Sequence, residues 1–158
     1  MAVGFVSDTE QGRANHGTGS RMTTTSLLRT ASIISLFFAL GHTLGGLKQW
    51  SPMGDNEVLK AMASVRFDTM GTNRSYLDFY MGFGWSLSVA LLLQSALLWQ
   101  IASLARSETV RLKPIIGIFA IATLASGVIA WFYIFPVPAL FAAALLIVLA
   151  AAYVKAPA

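Results

Sequence analysis

The sequence predicts an all-α fold: a four-helix bundle integral to a membrane, with a short amphipathic outer helix between the first and second spans. Two observations carry this prediction. Of the 158 residues, 56% are hydrophobic and 11% are charged, and the mean hydropathy is +0.66, whereas a soluble domain carries about 25% charged residues. The uncharged stretches are also long enough to cross a bilayer, which takes about 20 helical residues.

Four membrane spans are predicted, at about 26–47, 77–105, 114–135 and 138–154. The last two come from one uncharged run that is too long for a single span. Pro136 and Pro138 divide it, because proline removes a backbone donor and disfavours helix at the preceding residue. Pro114 suits the first position of the third helix, where a missing N–H costs nothing. A cleaved signal peptide is the alternative for the first span, but its apolar run starts late and no clear cleavage site follows.

The two ends of the chain are expected on the same side of the membrane. Residues 1–25 have too few apolar side chains to fold alone, so we expect a flexible polar tail, followed by one four-span domain over 26–158. The side that holds both ends carries most of the basic residues: Arg13, Arg21, Arg29, Arg106, Arg111, Lys113 and Lys155. In the 48–78 segment, basic and acidic residues balance. The positive-inside rule then places both termini in the cytoplasm and 48–78 outside the cell (inner) membrane.

The 48–78 segment contains the predicted outer helix, over 56–67, with Asp55 as its N-cap. Its apolar side chains share one helical face: Val58, Leu59, Met62 and Val65. Such a helix would lie along the membrane surface or cover the bundle. The chain is then expected to turn at 70–73 before it enters the second span.

Charged and aromatic side chains cluster where this segment meets the second span. Arg74 and Asp78 are four residues apart and can pair if the helix begins this early. One interpretation is a surface ion pair with tyrosines at the membrane interface. The other is a polar mouth above the bundle. Its candidate ligand-binding residues are Arg66, Arg74, Tyr76 and Tyr80, and its candidate catalytic carboxylates are Asp68 and Asp78.

The first span carries His42, an ionisable side chain in an apolar helix. It shares a stripe with Ser35, Ala39 and Gly46, and small residues at such spacing let helices approach closely. An intramembrane ionisable residue is a candidate for function; the alternative is an imidazole hydrogen-bonded to a neighbouring helix. Packing stripes are also expected in the second and third spans, at Gly82, Ser86, Ala120, Thr123, Gly127 and Ala130.

Several kinds of chemistry have little support. The chain has no cysteine, which removes disulfides and thiolate sites. Its two histidines, His16 and His42, are too far apart to form a metal motif, so no metal site and no cofactor are predicted. A bound lipid, or a haem held by His42 with Met70 or a second protomer, is the alternative. The basic residues form no dense stripe, which argues against nucleic acid; the expected partners are the lipid bilayer and other membrane subunits or a second copy.

Two stretches of the chain resemble a known family. They are GHTLGG at 41–46 and RFDTMGTNRSYLDFYMGFG at 66–84, and they are similar to motifs of small four-span bacterial integral membrane proteins of unknown function. The resemblance covers roughly 26–154, and Leu77 departs from it where an aromatic residue is common. It implies fold and location but no reaction. The motif positions with chemical potential are His42, Asp68, Arg74 and Asp78.

The sequence leaves two functions open. The favoured one is non-enzymatic: an accessory or structural subunit of a membrane complex, or a binder of a lipid or other hydrophobic molecule. The alternative is a small membrane-embedded enzyme acting on an amphiphile, in which His42 and Asp78 (or Asp68) exchange protons and Arg74 binds an anionic group. That chemistry requires His42 within about 7 Å of a carboxylate, or one bridging water. Polar groups in membrane bundles mostly hold helices together, which favours the first function.

Overall fold

The computed structural model describes residues 23–107 and 109–157. In chain order, the elements are α1 (Thr24–Gly46), α2 (Glu57–Ser64), β1 (Arg66–Thr69), β2 (Thr72–Ser75), α3 (Tyr76–Leu104), α4 (Thr109–Tyr133) and α5 (Pro136–Lys155). The helices α1, α3, α4 and α5 are long and apolar enough to cross a membrane, which confirms the four predicted helices. The expected polar tail over 1–25 lies outside the described residues, except for 23–25, where α1 begins.

The four long helices lie antiparallel in the order α3, α1, α5, α4. Each packs mainly on its neighbours in that order, and α3 touches α4 only weakly. Where α1 begins and α5 ends, all four helices contribute to one apolar core: Leu27, Leu28, Ala31, Leu98, Ile101, Ala102, Ala105, Leu112, Ile116, Leu145, Leu149, Ala152 and Ala156. We call this the closed end of the bundle, and the opposite end, next to β1 and β2, the hairpin end.

Small and hydroxyl-bearing side chains line the contact between α1 and α3. The predicted stripe of α1 is confirmed, because its members are buried or half-buried: Ser35, Ala39, His42 and Gly46. On α3 the buried positions recur every three or four residues: Ser88, Leu91, Ser95, Leu98 and Ala102. This alternation is typical of two helices packed in a left-handed pair. By contrast, Gly82 and Ser86 lie on an exposed face of α3, so the stripe expected there is not packed.

Two helix starts differ from the prediction. The helix α4 begins at Thr109, so Pro114 lies inside it and not at its first position. Leu112 and Ile116 are buried on either side of this proline, and their packing holds the helix together through it. The helix α5 begins at Pro136, two residues earlier than predicted. A proline is tolerated at this position because the N–H that it lacks would have no helical partner.

The outer helix α2 is shorter than the predicted 56–67. Its N-cap is Asn56, not Asp55. The Oδ1 atom of Asn56 accepts hydrogen bonds from the second and third backbone N–H groups of α2, at 2.9 and 3.1 Å, which satisfies two donors that a helix start leaves free. Leu59 is its buried apolar residue.

A β-hairpin that the sequence analysis missed follows α2, and the fold is therefore not purely helical. The strands β1 and β2 pair antiparallel, with Thr69 opposite Thr72. Between them, Met70 and Gly71 have φ angles of 48° and 75°. Two consecutive positive φ angles are typical of the two-residue turns that match the twist of a hairpin. The expected break at 70–73 is thus the hairpin turn.

A reciprocal serine pair joins α1 to α3. The Ser32 hydroxyl donates to the Ser95 carbonyl at 2.8 Å, and the Ser95 hydroxyl donates to the Ser32 carbonyl at 3.0 Å. Both side chains are buried, so each hydroxyl finds its acceptor on the facing helix and neither is left unsatisfied.

We expect Ser32→Ala and Ser95→Ala each to lower the free energy of unfolding by about 1 kcal/mol, since helix-to-helix hydrogen bonds in membranes have this strength. Unfolding in mixed micelles, followed by circular dichroism, measures the change. The exposed Ser86→Ala is the matched control on the same helix and should be neutral. Single effects no larger than that of the control would contradict this role of the pair.

Candidate functional site

The chain leaves α1 through a tight reversal that brings Trp50 back onto the helix. The Trp50 N–H donates to the Gly45 carbonyl at 2.9 Å, and the Gln49 N–H donates to the Gly46 carbonyl at 3.0 Å, the Schellman pattern of helix ends. Gln49 and Trp50 have φ angles of 53° and 48°, a region that is costly for residues with a Cβ atom. Packing of the indole must therefore hold the reversal in place.

The indole of Trp50 fills a niche formed by three glycines. A Cβ atom at Gly84 would overlap the indole, one at Gly46 would lie 2.9 Å from its Cζ2, and one at Gly45 would lie 3.0 Å from its Cδ1. The indole Nε1 donates to the His42 carbonyl at 2.7 Å. Because the niche has residues from both helices, Trp50 fastens α1 to α3 at the hairpin end.

A cavity of about 390 Å³ opens between α1 and α5 at the hairpin end. We call it the α1–α5 cavity. Most of its wall is apolar: Phe37, Phe38, Gly41, Gly45, Trp50, Pro52, Phe135, Val137, Pro138 and Phe141. The polar side chains in the wall are those of His42, Lys48 and Ser51. A Cβ atom added at Gly41 would meet nothing within 4 Å, so this side of α1 faces open space.

His42 lies in the wall of this cavity and is half-buried. Its Nδ1 is 3.0 Å from the Ser88 hydroxyl on α3, and that hydroxyl donates to the Gly84 carbonyl at 3.3 Å. The imidazole also packs on Trp50, with 5.2 Å between the ring centres. The structure thus gives His42 a hydrogen-bond partner on a neighbouring helix. Among the described residues, none hydrogen-bonds to its Nε2.

A smaller cavity of about 40 Å³ lies deeper in the bundle. The stacked rings of Phe38 and Phe141, 5.1 Å apart, line both cavities and separate them. The buried Ser35 hydroxyl has no hydrogen-bond partner in the described part of the chain, and Gln94 and Thr123 line the same small cavity. This volume is enough for a water molecule, which polar side chains of this kind can hold.

The charged residues expected to form a polar mouth lie on the hairpin. Asn73 connects them: the Arg66 Nε donates to its Oδ1, and its Nδ2 donates to Asp68 Oδ1 at 2.8 Å. Arg74 donates to the Asn73 carbonyl at 3.3 Å. All of these side chains are exposed, and none lines the α1–α5 cavity. They form a surface network that ties the two strands together.

Asp78 caps α3 and does not pair with Arg74. Its carboxylate accepts from the Ser75 N–H at 2.9 Å, and the Ser75 hydroxyl accepts from the Asp78 N–H at 3.0 Å, a capping box. The ion pair depended on a helix that begins before Arg74, and this condition is not met, because α3 begins at Tyr76 and Arg74 is part of β2. Arg74 and Asp78 share the rim of a separate cavity of about 270 Å³ along α3.

The two candidate tyrosines pack against other aromatic rings. Tyr76 lies 5.1 Å from Phe67 between ring centres, and this contact holds the hairpin to the start of α3. The Tyr80 hydroxyl donates to the Trp50 carbonyl at 3.4 Å. Neither tyrosine lines the α1–α5 cavity. Met70, considered as a haem ligand, lies exposed at the hairpin turn and outside the cavity that contains His42.

The structure does not bring His42 and Asp78 together. Ser88, the partner of His42, follows Asp78 by ten residues in α3, which corresponds to about 15 Å along the helix axis. Asp68 lies on the exposed hairpin. The pair that acid–base chemistry would need is therefore not assembled. Within 23–107 and 109–157, no three His, Asp or Glu side chains converge as metal ligands.

Four residues of the site were not predicted as such from the sequence: Trp50, Ser88, Gly41 and Gly84. A signal existed for Trp50, because a large aromatic residue follows two adjacent small ones at the end of a helix, and hydrophobic contacts across such ends are common. For Ser88, the signal was its place among small residues spaced three and four apart on the second span. Comparisons with protein-family models, with curated proteins and with solved structures find no match for this chain.

Gly84→Ala tests the role of the Trp50 niche. We expect it to lower the free energy of unfolding by about 1–3 kcal/mol, because the added methyl group overlaps the indole and forces it to shift. Gly82→Ala is the matched control: it is on the same helix, and its added methyl meets nothing within 4 Å. The control should raise stability by up to about 1 kcal/mol. Thermal unfolding in detergent measures both, and equal effects of the two would contradict the niche.

Proposed function

We propose that the chain is an integral protein of the cell membrane that binds a lipid or another hydrophobic molecule in the α1–α5 cavity. The cavity itself carries the proposal. Its volume of about 390 Å³ lies in the range of small-molecule sites, and such sites have mostly apolar walls with a few placed polar groups. Here the polar side chains of the wall are those of His42, Lys48 and Ser51.

The surface of the bundle supports a membrane location. Large apolar side chains more than 60% exposed occur on all four long helices: Phe37, Leu44, Phe83, Val89, Ile118, Ile121, Trp131, Phe132, Tyr133, Leu140, Ile147 and Val154. Soluble monomers rarely expose such continuous apolar area. The uncharged part of α1 covers 30–46, about 25 Å of helix, which is close to the thickness of a hydrocarbon layer, roughly 30 Å.

Contacts between basic groups and aromatic rings support a membrane–water interface at the closed end. At the closed end, the Arg29 guanidinium lies 5.2 Å from the Trp99 ring centre, and the Lys113 ammonium lies 5.3 Å from that of Tyr153. Aromatic rings with basic neighbours are typical of the membrane–water boundary. With the excess of basic residues at this end, the positive-inside rule assigns it to the cytoplasm. The hairpin end and the α1–α5 cavity then belong to the outer leaflet.

The position of the cavity favours an amphiphile as the ligand. His42 is about one turn from the end of α1, so the cavity spans the boundary between the hydrocarbon layer and the polar surface. A molecule with a chain against Phe38 and Phe141 would have its polar end near Lys48. The accessory-subunit function stays a prediction. The enzyme alternative has no support from this geometry, since no carboxylate within 23–107 and 109–157 pairs with His42.

Gly41→Leu tests the binding site. Its side chain would occupy the α1–α5 cavity without meeting other atoms near its Cβ, so we expect loss of bound lipid with no loss of stability. Native mass spectrometry of protein released from gently solubilised membranes measures the bound fraction. The control Gly82→Leu also replaces an interior helix glycine with open space around it, but outside this cavity, and should keep the ligand.

Retention of the ligand by Gly41→Leu, or equal loss in both variants, would contradict the assigned cavity. A wild-type protein that is free of any bound amphiphile, before and after incubation with total lipid extract, would contradict binding altogether. A protein that releases a second polypeptide instead of a lipid would favour the subunit function.

The proposed orientation is testable because the chain has no native cysteine. We expect Met53→Cys, at an exposed position near the hairpin end, to react in intact cells with a maleimide that cannot cross the bilayer. Arg106→Cys, exposed at the closed end, should react only after permeabilisation. The cysteine-free parent is the control. Labelling of both positions from the same side would contradict the four-span topology.

A further inference from the structure

We propose that the ligand of the α1–α5 cavity carries a hydroxyl group that donates a hydrogen bond to Nε2 of His42. The ligand class is thus a hydroxyl-bearing amphiphile, such as a long-chain alcohol or a partly acylated glycerol. An ester, ether or ketone of equal size lacks this donor. This inference rests on the proposed function, and it specifies which polar group the cavity selects.

We assign the proton of the neutral imidazole from the hydrogen-bond chain behind His42. The Ser88 hydroxyl has one proton, and it donates that proton to the Gly84 carbonyl at 3.3 Å, the usual bond of a helical serine to the preceding turn. With this proton on the Gly84 carbonyl, we infer that the same oxygen accepts toward His42, at 3.0 Å. The Nδ1 atom therefore carries the proton of the neutral imidazole, and Nε2 has a free lone pair.

Within the described part of the chain, no donor reaches this lone pair. The nearby indole N–H of Trp50 is already used by the His42 carbonyl, at 2.7 Å. Lys48 also lines this cavity, but its side chain is exposed and makes no hydrogen bond to His42 in the described structure. An acceptor that stays unpaired in an apolar wall is unfavourable. A ligand hydroxyl that enters the cavity supplies the missing donor.

Three probes of the same size separate donors from acceptors. They are dodecanol, methyl undecyl ether and dodecanone, each added to the purified protein at the same mole fraction in the detergent micelle. Dodecanol donates and accepts, whereas the other two only accept. In a competition read by native mass spectrometry, with deuterium-labelled dodecanol to separate the masses, we expect dodecanol to bind about fivefold to tenfold more tightly, the strength of one hydrogen bond.

The variants assign this preference to the imidazole. His42→Phe keeps a ring in the wall but removes the acceptor, so the ratio of alcohol to ether should fall to about one. Ser88→Ala removes the acceptor that holds the proton on Nδ1, and the ratio should also fall. Ser95→Ala removes another buried serine hydroxyl from the same helix, away from the cavity, and should leave the ratio unchanged.

Nitrogen NMR gives a second readout that needs no change at the site. In His16→Ala, His42 is the remaining histidine, and its Nδ1 should show the protonated and its Nε2 the unprotonated chemical shift. Dodecanol should shift the Nε2 signal and the ether should not. The opposite tautomer, or tighter binding of the ether or ketone, would overturn the inference.

The outcomes also separate this inference from the proposed function. Equal binding of all three probes, with loss of binding in Gly41→Leu, would overturn the hydroxyl preference and leave the cavity as the binding site. Failure of all probes and of membrane lipids to bind the wild-type protein would overturn both.

Discussion

The packing of the Trp50 indole in its glycine niche is the interaction on which the rest of the hairpin end depends. It holds Gln49 and Trp50 itself in a backbone region that side chains disfavour, and it places a hydrogen bond on the His42 carbonyl. With the indole between Gly46 and Gly84, α1 and α3 are fixed to each other. The loop that follows then returns over the end of α1, and Pro52 becomes part of the cavity wall.

The helices of the bundle are packed less closely at the hairpin end than at the closed end. At the closed end, apolar side chains from all four long helices meet in one core. Along the pair α1 and α3, serine hydroxyls and small residues continue this contact to the hairpin end. Between α1 and α5, the rings of Phe38 and Phe141 stack on each other, and the α1–α5 cavity lies next to them. The α1–α5 cavity is therefore the place where the helices separate.

The sequence predicts the long helices well because length, absence of charge and small-residue spacing are local properties. The stripe through Ser35, Ala39 and Gly46 needed no knowledge of its partner helix. The hairpin was missed because the apolar spacing of Val58, Leu59 and Met62 extends a helical pattern toward the residues of β1. The hairpin itself depends on a turn in which Met70 and Gly71 adopt the left-handed conformation. The position of Pro114 in its helix was predicted wrongly for a similar reason. The local preference of proline for a helix start is outweighed by the packing of its buried neighbours.

The candidate site was predicted only in part because its geometry is non-local. His42 stands out in the sequence as a polar residue in an apolar helix. The charged residues of the second motif also stand out, but they belong to the hairpin and to the cap of α3. The Asp78 carboxylate accepts a hydrogen bond at the start of α3, and the Asp68 carboxylate accepts one from Asn73. Each carboxylate thus has a structural partner. The described groups around His42 are the Ser88 hydroxyl, the Trp50 indole and the wall of the α1–α5 cavity, which also includes Lys48. Among the described residues, this imidazole has no carboxylate partner with which to exchange protons, but it keeps one nitrogen that can recognise a polar group on a hydrophobic molecule.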